Sequence, residues 1–340
     1  MQFSRDVFRL TVSGLSAISM RSQGPVKFFL AGALLILSCL PNFAQDSNQE
    51  EIIRVRTDLV TVPVTVLDSK RRRIGGLTQD DFVIRDDGRN AKVDHFSVGT
   101  DRVAIVFLLD ASGSAHDYLS KQRDAALALF SRFGPGSQVA VIHFGDRSEV
   151  RVPFTNEIIK ARGGFDFPAV GGRHTAIFDS AAAAVHLLEQ RQNDPTERRI
   201  IILTSDGLDN ASAKNAAEVI TLARNAATSF YIIHFPLFAP QEGHLAIRPP
   251  SKGFRDLAEK TGGRYFTAGN VRSALEPNAQ YDLSTLFKAI EDDLASQYVL
   301  GFYPDRSASA PGSHRIEVDL RKKPRGYQVK SVRQGYNLNH

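Results

Sequence analysis

Residues 103–114 (V-A-I-V-F-L-L-D-A-S-G-S) constrain the fold more than any other stretch of this chain. Seven apolar residues run unbroken into Asp110, and two hydroxyls and a glycine follow at once. A strand with one wet face alternates; an unbroken apolar run predicts a central strand of a parallel sheet, covered by helices on both faces. Open α/β sheets bind their ligands at the carboxyl ends of such strands. Asp110, Ser112 and Ser114 stand at that end at alternate positions, so all three can turn toward one point. Oxygen-only ligands of this kind suit a hard divalent cation such as Mg²⁺. Taken alone, the segment also reads as a polar turn that ends a strand and caps the next helix.

Two later segments add to it. Residues 199–204 (R-I-I-I-L-T) form a second buried-strand run that leads into S-D-G-L-D-N, with Asp206 at its carboxyl end. Between the two strands lies G-G-R-H-T-A-I-F-D-S-A-A-A-A-V, a glycine-rich loop entering an alanine-rich helix at Thr175. Singly, Asp206 before Gly207 could be a turn former and Thr175 an N-cap. The order strand–DxSxS, loop–Thr–helix, strand–Asp–Gly resembles the von Willebrand factor type A (VWA) domain with its metal-ion-dependent adhesion site. The resemblance covers roughly residues 102–297 and implies a doubly wound, Rossmann-like α/β fold. It also implies that Asp110, Ser112, Ser114, Thr175 and Asp206 hold Mg²⁺, with Mn²⁺ or Ca²⁺ as substitutes. In that family the two aspartates act partly through water, which leaves the ion electrophilic toward a partner's aspartate or glutamate. The flanks, D-L-V-T-V-P-V-T-V before and Y-V-L-G-F-Y-P after, are similar to those of the secreted VWFA-related proteins of acidobacteria.

The amino terminus reads as an export signal. Lys27 precedes F-F-L-A-G-A-L-L-I-L-S-C-L, then a proline and N-F-A-Q. That apolar stretch is short for a bilayer span and polar residues follow it, which fits a signal cleaved after Ala44. Met20 is a second candidate start, since M-R-S-Q-G-P-V-K opens a signal of ordinary proportions. The sole cysteine, Cys39, stands in L-S-C, a loose match to a lipoprotein processing site. The reading is an exported protein, periplasmic, at the cell surface or extracellular, with no membrane span in the mature form. Loss of residues 1–44 removes Arg5, Arg9, Arg21, Lys27 and Asp6, so the net charge of +5 falls to +2. No nucleic-acid footprint follows from that balance. Cleavage after Ala44 leaves no thiol, hence neither a disulfide nor a thiolate metal site. The nine histidines show no zinc spacing; His116 and His174 could reach the metal face but read as rim polarity.

The rest of the chain divides around the central run. Residues 45–54 are polar. Residues 58–67 alternate like a half-buried antiparallel strand, with Pro63 pointing to a sheet edge. Lys70-Arg71-Arg72-Arg73 sits at a hairpin tip and reads as a solvated turn, with an anionic surface polymer as a possible contact. Residues 81–85 and 91–98 give two more strands around a D-D-G turn. In the middle, helices are expected over 118–133, 175–190, 216–226, 254–260 and 283–296, and strands over 139–144, 150–152, 230–235 and 264–267. Residues 236–251 are proline-rich and aperiodic, so they read as a loop. Strands return at 298–303, 314–320 and 327–332. Neither terminal set can bury a face alone. The expected organisation is therefore a signal over 1–44, an N-terminal β segment over 45–100, the VWA domain over 101–296 and a C-terminal β segment over 297–340. The last pairs with 45–100 in a small β-sandwich into which the α/β domain is inserted.

Catalysis lacks its usual signatures. There is no G-x-S-x-G elbow and no G-x-x-x-x-G-K-[ST] phosphate loop. A haloacid dehalogenase-type phosphohydrolase would need an aspartate where Ser112 stands. The expected role is non-enzymatic capture of a protein ligand through a carboxylate, with a scaffold or assembly subunit of an envelope complex as the alternative and a metal-dependent hydrolase third. Nothing in the pattern sets an oligomeric state.

Overall fold

The computed structural model describes residues 59–100, 102–112, 123–134, 136–166, 174–191, 194, 197–269, 283–305 and 311–338. The export signal, Met20, Cys39, Ser114, His116 and the start of the expected 118–133 helix lie outside the described residues.

Four strands come first: β1 (Val60–Leu67), β2 (Phe82–Asp86), β3 (Arg89–Ala91) and β4 (His95–Val98). The middle follows with β5 (Val103–Asp110), α1 (Arg123–Phe130), β6 (Gln138–Phe144), β7 (Ser148–Thr155), α2 (Ile158–Gly163), α3 (Ile177–Glu189) and β8 (Arg198–Ser205). Next are α4 (Ala216–Asn225), β9 (Thr228–His234), β10 (Phe238–Gln241), β11 (His244–Ile247), α5 (Phe254–Lys260), β12 (Tyr265–Thr267) and α6 (Ser284–Ala295). The chain closes with β13 (Tyr298–Phe302), β14 (Gly312–Leu320), β15 (Gln328–Ser331) and β16 (Gly335–Leu338).

The central sheet has the order β12-β9-β8-β5-β6-β7. All pairs are parallel except β6–β7, an antiparallel hairpin at one edge. As the unbroken apolar run requires, every residue of β5 is buried. Its side chains alternate between two cores: Ala104, Val106 and Leu108 pack toward α3, α4 and α5, while Val103, Ile105, Phe107 and Leu109 pack toward α1 and α6. The fold is thus a doubly wound α/β layer with helices on both faces.

Strands from both chain ends build two further sheets, β15-β1-β13-β4 and β16-β14-β2-β3. They share one core made by Val62, Val64, Phe82, Ile84, Tyr298 and Phe302, among others. Pro63 does not mark an edge, because β1 lies between β13 and β15. Its carbonyl accepts from Val332 N at 2.9 Å. A strand residue points its N–H and C=O to the same side, so the donor that proline lacks faces the place where the β15 ladder begins at Val64. The expected 91–98 strand is two strands on two sheets: β3 pairs with β2 and β4 with β13, and the buried Val93 lies in the crossing. The expected loop over 236–251 contains the β10–β11 hairpin, turned at Glu242 (φ 50°) and Gly243 (φ 82°). Two positive φ values in a two-residue loop match strand twist. β16 was missed by pattern reading.

The basic tip also differs from expectation. Asp68 organises the turn by accepting from Lys70 N and Arg72 N, each at 2.8 Å. Arg73 turns inward, pairing with the buried Asp293 of α6 and donating to Thr65 Oγ1 at 3.2 Å.

Candidate metal centre

In this sheet the strand order reverses between β5 and β8: the chain steps from β5 to β6 on one side, then returns to β8 on the other. Such a switch point opens a crevice at the carboxyl ends of the two strands. β5 ends there with Asp110, and β8 with Ser205, followed by Asp206.

Asp110 is fully buried. Its Oδ1 accepts from Ser112 N at 2.9 Å and its Oδ2 from Ser205 Oγ at 2.6 Å. Burial, more than any neighbour, pushes its carboxyl above the ordinary range; the Ser112 and Ser205 hydrogen bonds oppose that, and the Asp206 charge adds to it. Asp206 is also buried, and its Oδ1 accepts from Leu208 N at 2.9 Å. Gly207 permits the sharp exit, with φ +81° and Pro250 Cβ 2.7 Å from where a Cβ would stand. Behind Asp206, His234 Nε2 lies 2.9 Å from the Asp206 carbonyl oxygen, and Tyr265 Oη contacts His234 Nδ1. Burial lowers the His234 pKa, which favours a neutral ring whose Nε2–H donates to that carbonyl.

Thr175 is buried and clasped through its backbone. Its N donates to Asn210 Oδ1 at 2.8 Å, and its carbonyl accepts from Asn210 N at 3.0 Å. It is not the N-cap of α3; that position is Ala176, without a side-chain cap. The helix start is capped by the loop after β8 instead: Phe178 N donates to Asp209 Oδ2 at 3.1 Å and to Ser212 Oγ at 3.0 Å. In return Asp179 accepts from Ala213 N and Lys214 N, both at 2.9 Å. This reciprocal clasp ties the Thr175 loop to the Asp206 loop. These contacts join Asp110 and Ser112 at the end of β5 to Ser205 at the end of β8, and the Thr175 loop to Asn210 in the segment after Asp206; His174 is exposed. Ser205, Asp209, Asn210 and Ser212 were not singled out from sequence. The polar run S-D-G-L-D-N-A-S carried the signal, but it reads equally as an ordinary turn.

The donor set fits a hard cation: buried carboxylate and hydroxyl oxygens, with the Asp206 charge close enough to add to the upward shift of Asp110. Among the described residues, the one group of three acids or histidines with ligand atoms within 4.8 Å of one another lies away from these aspartates: Asp86, Asp87 and His314 on the sandwich. There Asp87 accepts from Arg315 N at 2.8 Å and lies 2.7 Å from His314 Nδ1, and Asp86 accepts from Tyr336 Oη at 2.6 Å. These contacts join β2 to β14 and β16, and the group is separate from the crevice.

Residues 105–208 match the family model of the von Willebrand factor type A domain, a span that contains every one of the five sequence-predicted positions. No curated protein sequence matches the chain. Among solved structures, the chain is similar to an aerotolerance-related membrane protein from Bacteroides fragilis (18% identity, 56% of this chain and 98% of that one, TM-score 0.40). It is also similar to the conserved hypothetical protein BatB from Bacteroides thetaiotaomicron (20% identity, 57% and 97%, TM-score 0.41). A third is proximal thread matrix protein 1 of the mussel byssus, solved with a zinc-occupied MIDAS motif (20% identity, 62% and 49%, TM-score 0.45).

Proposed function

We propose that this protein captures a partner protein through a divalent cation held by Asp110, Ser112, Ser114, Thr175 and Asp206. The observation that carries the reading is Asp110: a fully buried carboxylate at the sheet's switch point, acted on by hydroxyls, an amide and a second carboxylate. A buried anion facing another anion is costly without a cation to join them. Mg²⁺ suits the set, because it accepts few direct protein ligands and keeps several waters. When bound, the ion supplies an electrophilic position for an outside anion, and an aspartate or glutamate of the partner fills it. The family match over residues 105–208 and the role of hydroxyls as uncharged donors support this binding role over catalysis.

The reading places the metal-binding domain over 101–296 and a second domain over 45–100 and 297–340. It places the protein outside the cytoplasm, released by cleavage after Ala44. Among the described residues no helix is long and apolar enough to cross a membrane. Calorimetry with Mg²⁺ and Mn²⁺ on the folded protein tests the centre: one site is expected, with binding lost in Asp110→Ala. Unchanged binding in that variant overturns the assignment. A pull-down from envelope extract with and without chelator then tests whether the metal carries partner capture.

A further inference from the structure

A cleft of about 480 Å³ opens on the opposite side of the α/β layer from the metal crevice, where the sandwich meets α5, β12 and α6. It has the size of a small-molecule site, for which about 300–1,000 Å³ is usual. Four cationic side chains line it, Arg71, Arg73, Arg264 and Lys330, against two acids, Glu259 and Asp293. Two of these charges are committed to each other, since Arg73 pairs with the buried Asp293 and also donates to Thr65. The remaining acid, Glu259, has its own partner in Arg255 at 3.8 Å. Arg264 shares Asp293, its Nε 4.0 Å from Asp293 Oδ1, whereas Arg71 and Lys330 line the cleft outside any ion pair among the described residues, an excess that matches a doubly charged anion. The three cations come from separate elements: the 68–73 turn, the segment before β12, and β15.

The turn that presents Arg71 is pre-organised. Arg71 sits at φ 60°, its N–H donates to Asp68 O at 2.9 Å, and the Asp68 carboxylate ties down the residues on either side. Ordering of this kind before binding lowers the entropy cost of capturing a ligand. Arg264 is likewise steadied, lying over the Phe266 ring at 5.0 Å, and half its side chain remains exposed. The cleft exceeds the volume of a bare oxyanion, and Leu67 and Tyr265 give it apolar wall.

We propose that this cleft binds a phosphate monoester carrying a small organic group, with Arg71 and Lys330 as its phosphate ligands and the Asp293-paired Arg264 beside them. Arginine recognises such oxyanions through paired charge-assisted hydrogen bonds, and lysine adds a point charge. The cleft lining includes none of the five proposed metal-binding residues, so the test runs in chelator, where the metal centre cannot contribute. Calorimetry of the full chain with glycerol 3-phosphate should show saturable binding. The Arg71→Ala/Lys330→Ala double variant should lose about tenfold or more in affinity, as removal of charge-assisted hydrogen bonds implies. Lys288→Ala, which removes an exposed lysine of α6 outside the cleft lining, should bind as the parent does. Flotation with vesicles containing phosphatidic acid distinguishes a lipid source from a soluble one. Capture by vesicles or by the free ester, sensitive to the double variant, supports the site and names its source. No saturable binding to either probe, or equal losses in Lys288→Ala and the double variant, overturns it.

Discussion

Asp110 and Asp293 are both buried carboxylates of the same α/β layer, placed at its two ends and treated in opposite ways. Asp293, on α6, is surrounded by donors: Tyr231 Oη at 2.7 Å, Gln297 Nε2 at 3.1 Å and the Arg73 guanidinium. Gln297 in turn accepts from Arg198 at 2.6 Å. Arg198 is fully buried, and burial pushes its pKa down to about 10. This end is a closed network joining α6, β8, β9 and the 68–73 turn. At the other end Asp110 receives an amide and a hydroxyl, and a second carboxylate stands close by. A buried charge supplied with counter-charge serves structure. A buried charge left beside its like, at a strand end, points to a cation brought from outside.

The comparison breaks first at Asp293. Asp293→Ala leaves the buried Arg198 and the half-buried Arg73 without their shared anion. It should cost about 3–5 kcal/mol of unfolding free energy in urea titration, the usual loss when one partner of a buried ion pair is removed. A loss under about 1 kcal/mol would mean that the two ends do not differ as described. Next comes Asp110→Asn, which should raise apo stability, because it relieves desolvation and repulsion. With Mg²⁺ at about a hundred times its Kd, the parent should gain about 2.7 kcal/mol, and this variant should gain none. Stabilisation by Mg²⁺ that persists in Asp110→Asn would remove the cation from the account.

A smaller effect is expected from Arg73→Ala, about 2 kcal/mol, since Tyr231 and Gln297 still donate to Asp293. Combining it with Asp293→Asn in a double-mutant cycle measures the pair itself; additive losses would show that Arg73 contributes only packing. The smallest concerns pH. His143 is buried with Nε2 2.6 Å from Gly164 O. Burial lowers its pKa below 6.5, the Gly164 contact opposes this, Arg151 adds to it, and Glu149 and Asp166 oppose it. The unfolded chain therefore holds more protons just below pH 6.5, so this contribution is complete above 6.5 and is lost as pH falls through it. His143→Gln should flatten the slope of Tm against pH below 6.5, by an effect of about 1 kcal/mol or less. An unchanged slope would place the acid sensitivity elsewhere.

Much of this was legible along the chain. The apolar run into Asp110, the alternation of strand and helix patterns, and the hydroxyls at strand ends depend on local spacing, which a sequence displays directly. The Asp206 strand and the α6 apolar side followed in the same way. Ser205 was hidden because a serine beside an Asp–Gly turn looks like turn chemistry until β8 is placed next to β5. The β10–β11 hairpin was hidden because Glu242–Gly243 lacks the asparagine or aspartate that usually announces such a turn.

By itself the sequence determined which residues leave water and with what period, and so the doubly wound layer and the strand ends where carboxylates gather. Only the tertiary structure decided what each buried group meets. It put Pro63 in an interior strand at the one place where a missing donor is tolerated, and it divided residues 91–98 between two sheets. It also turned Arg73 from a solvated tip into the counter-charge of Asp293, 220 residues away in sequence. The reason is physical: hydrophobic burial is a property of one residue and its local period. Charge compensation is a property of a pair, and the chain brings the second member near only after it has folded.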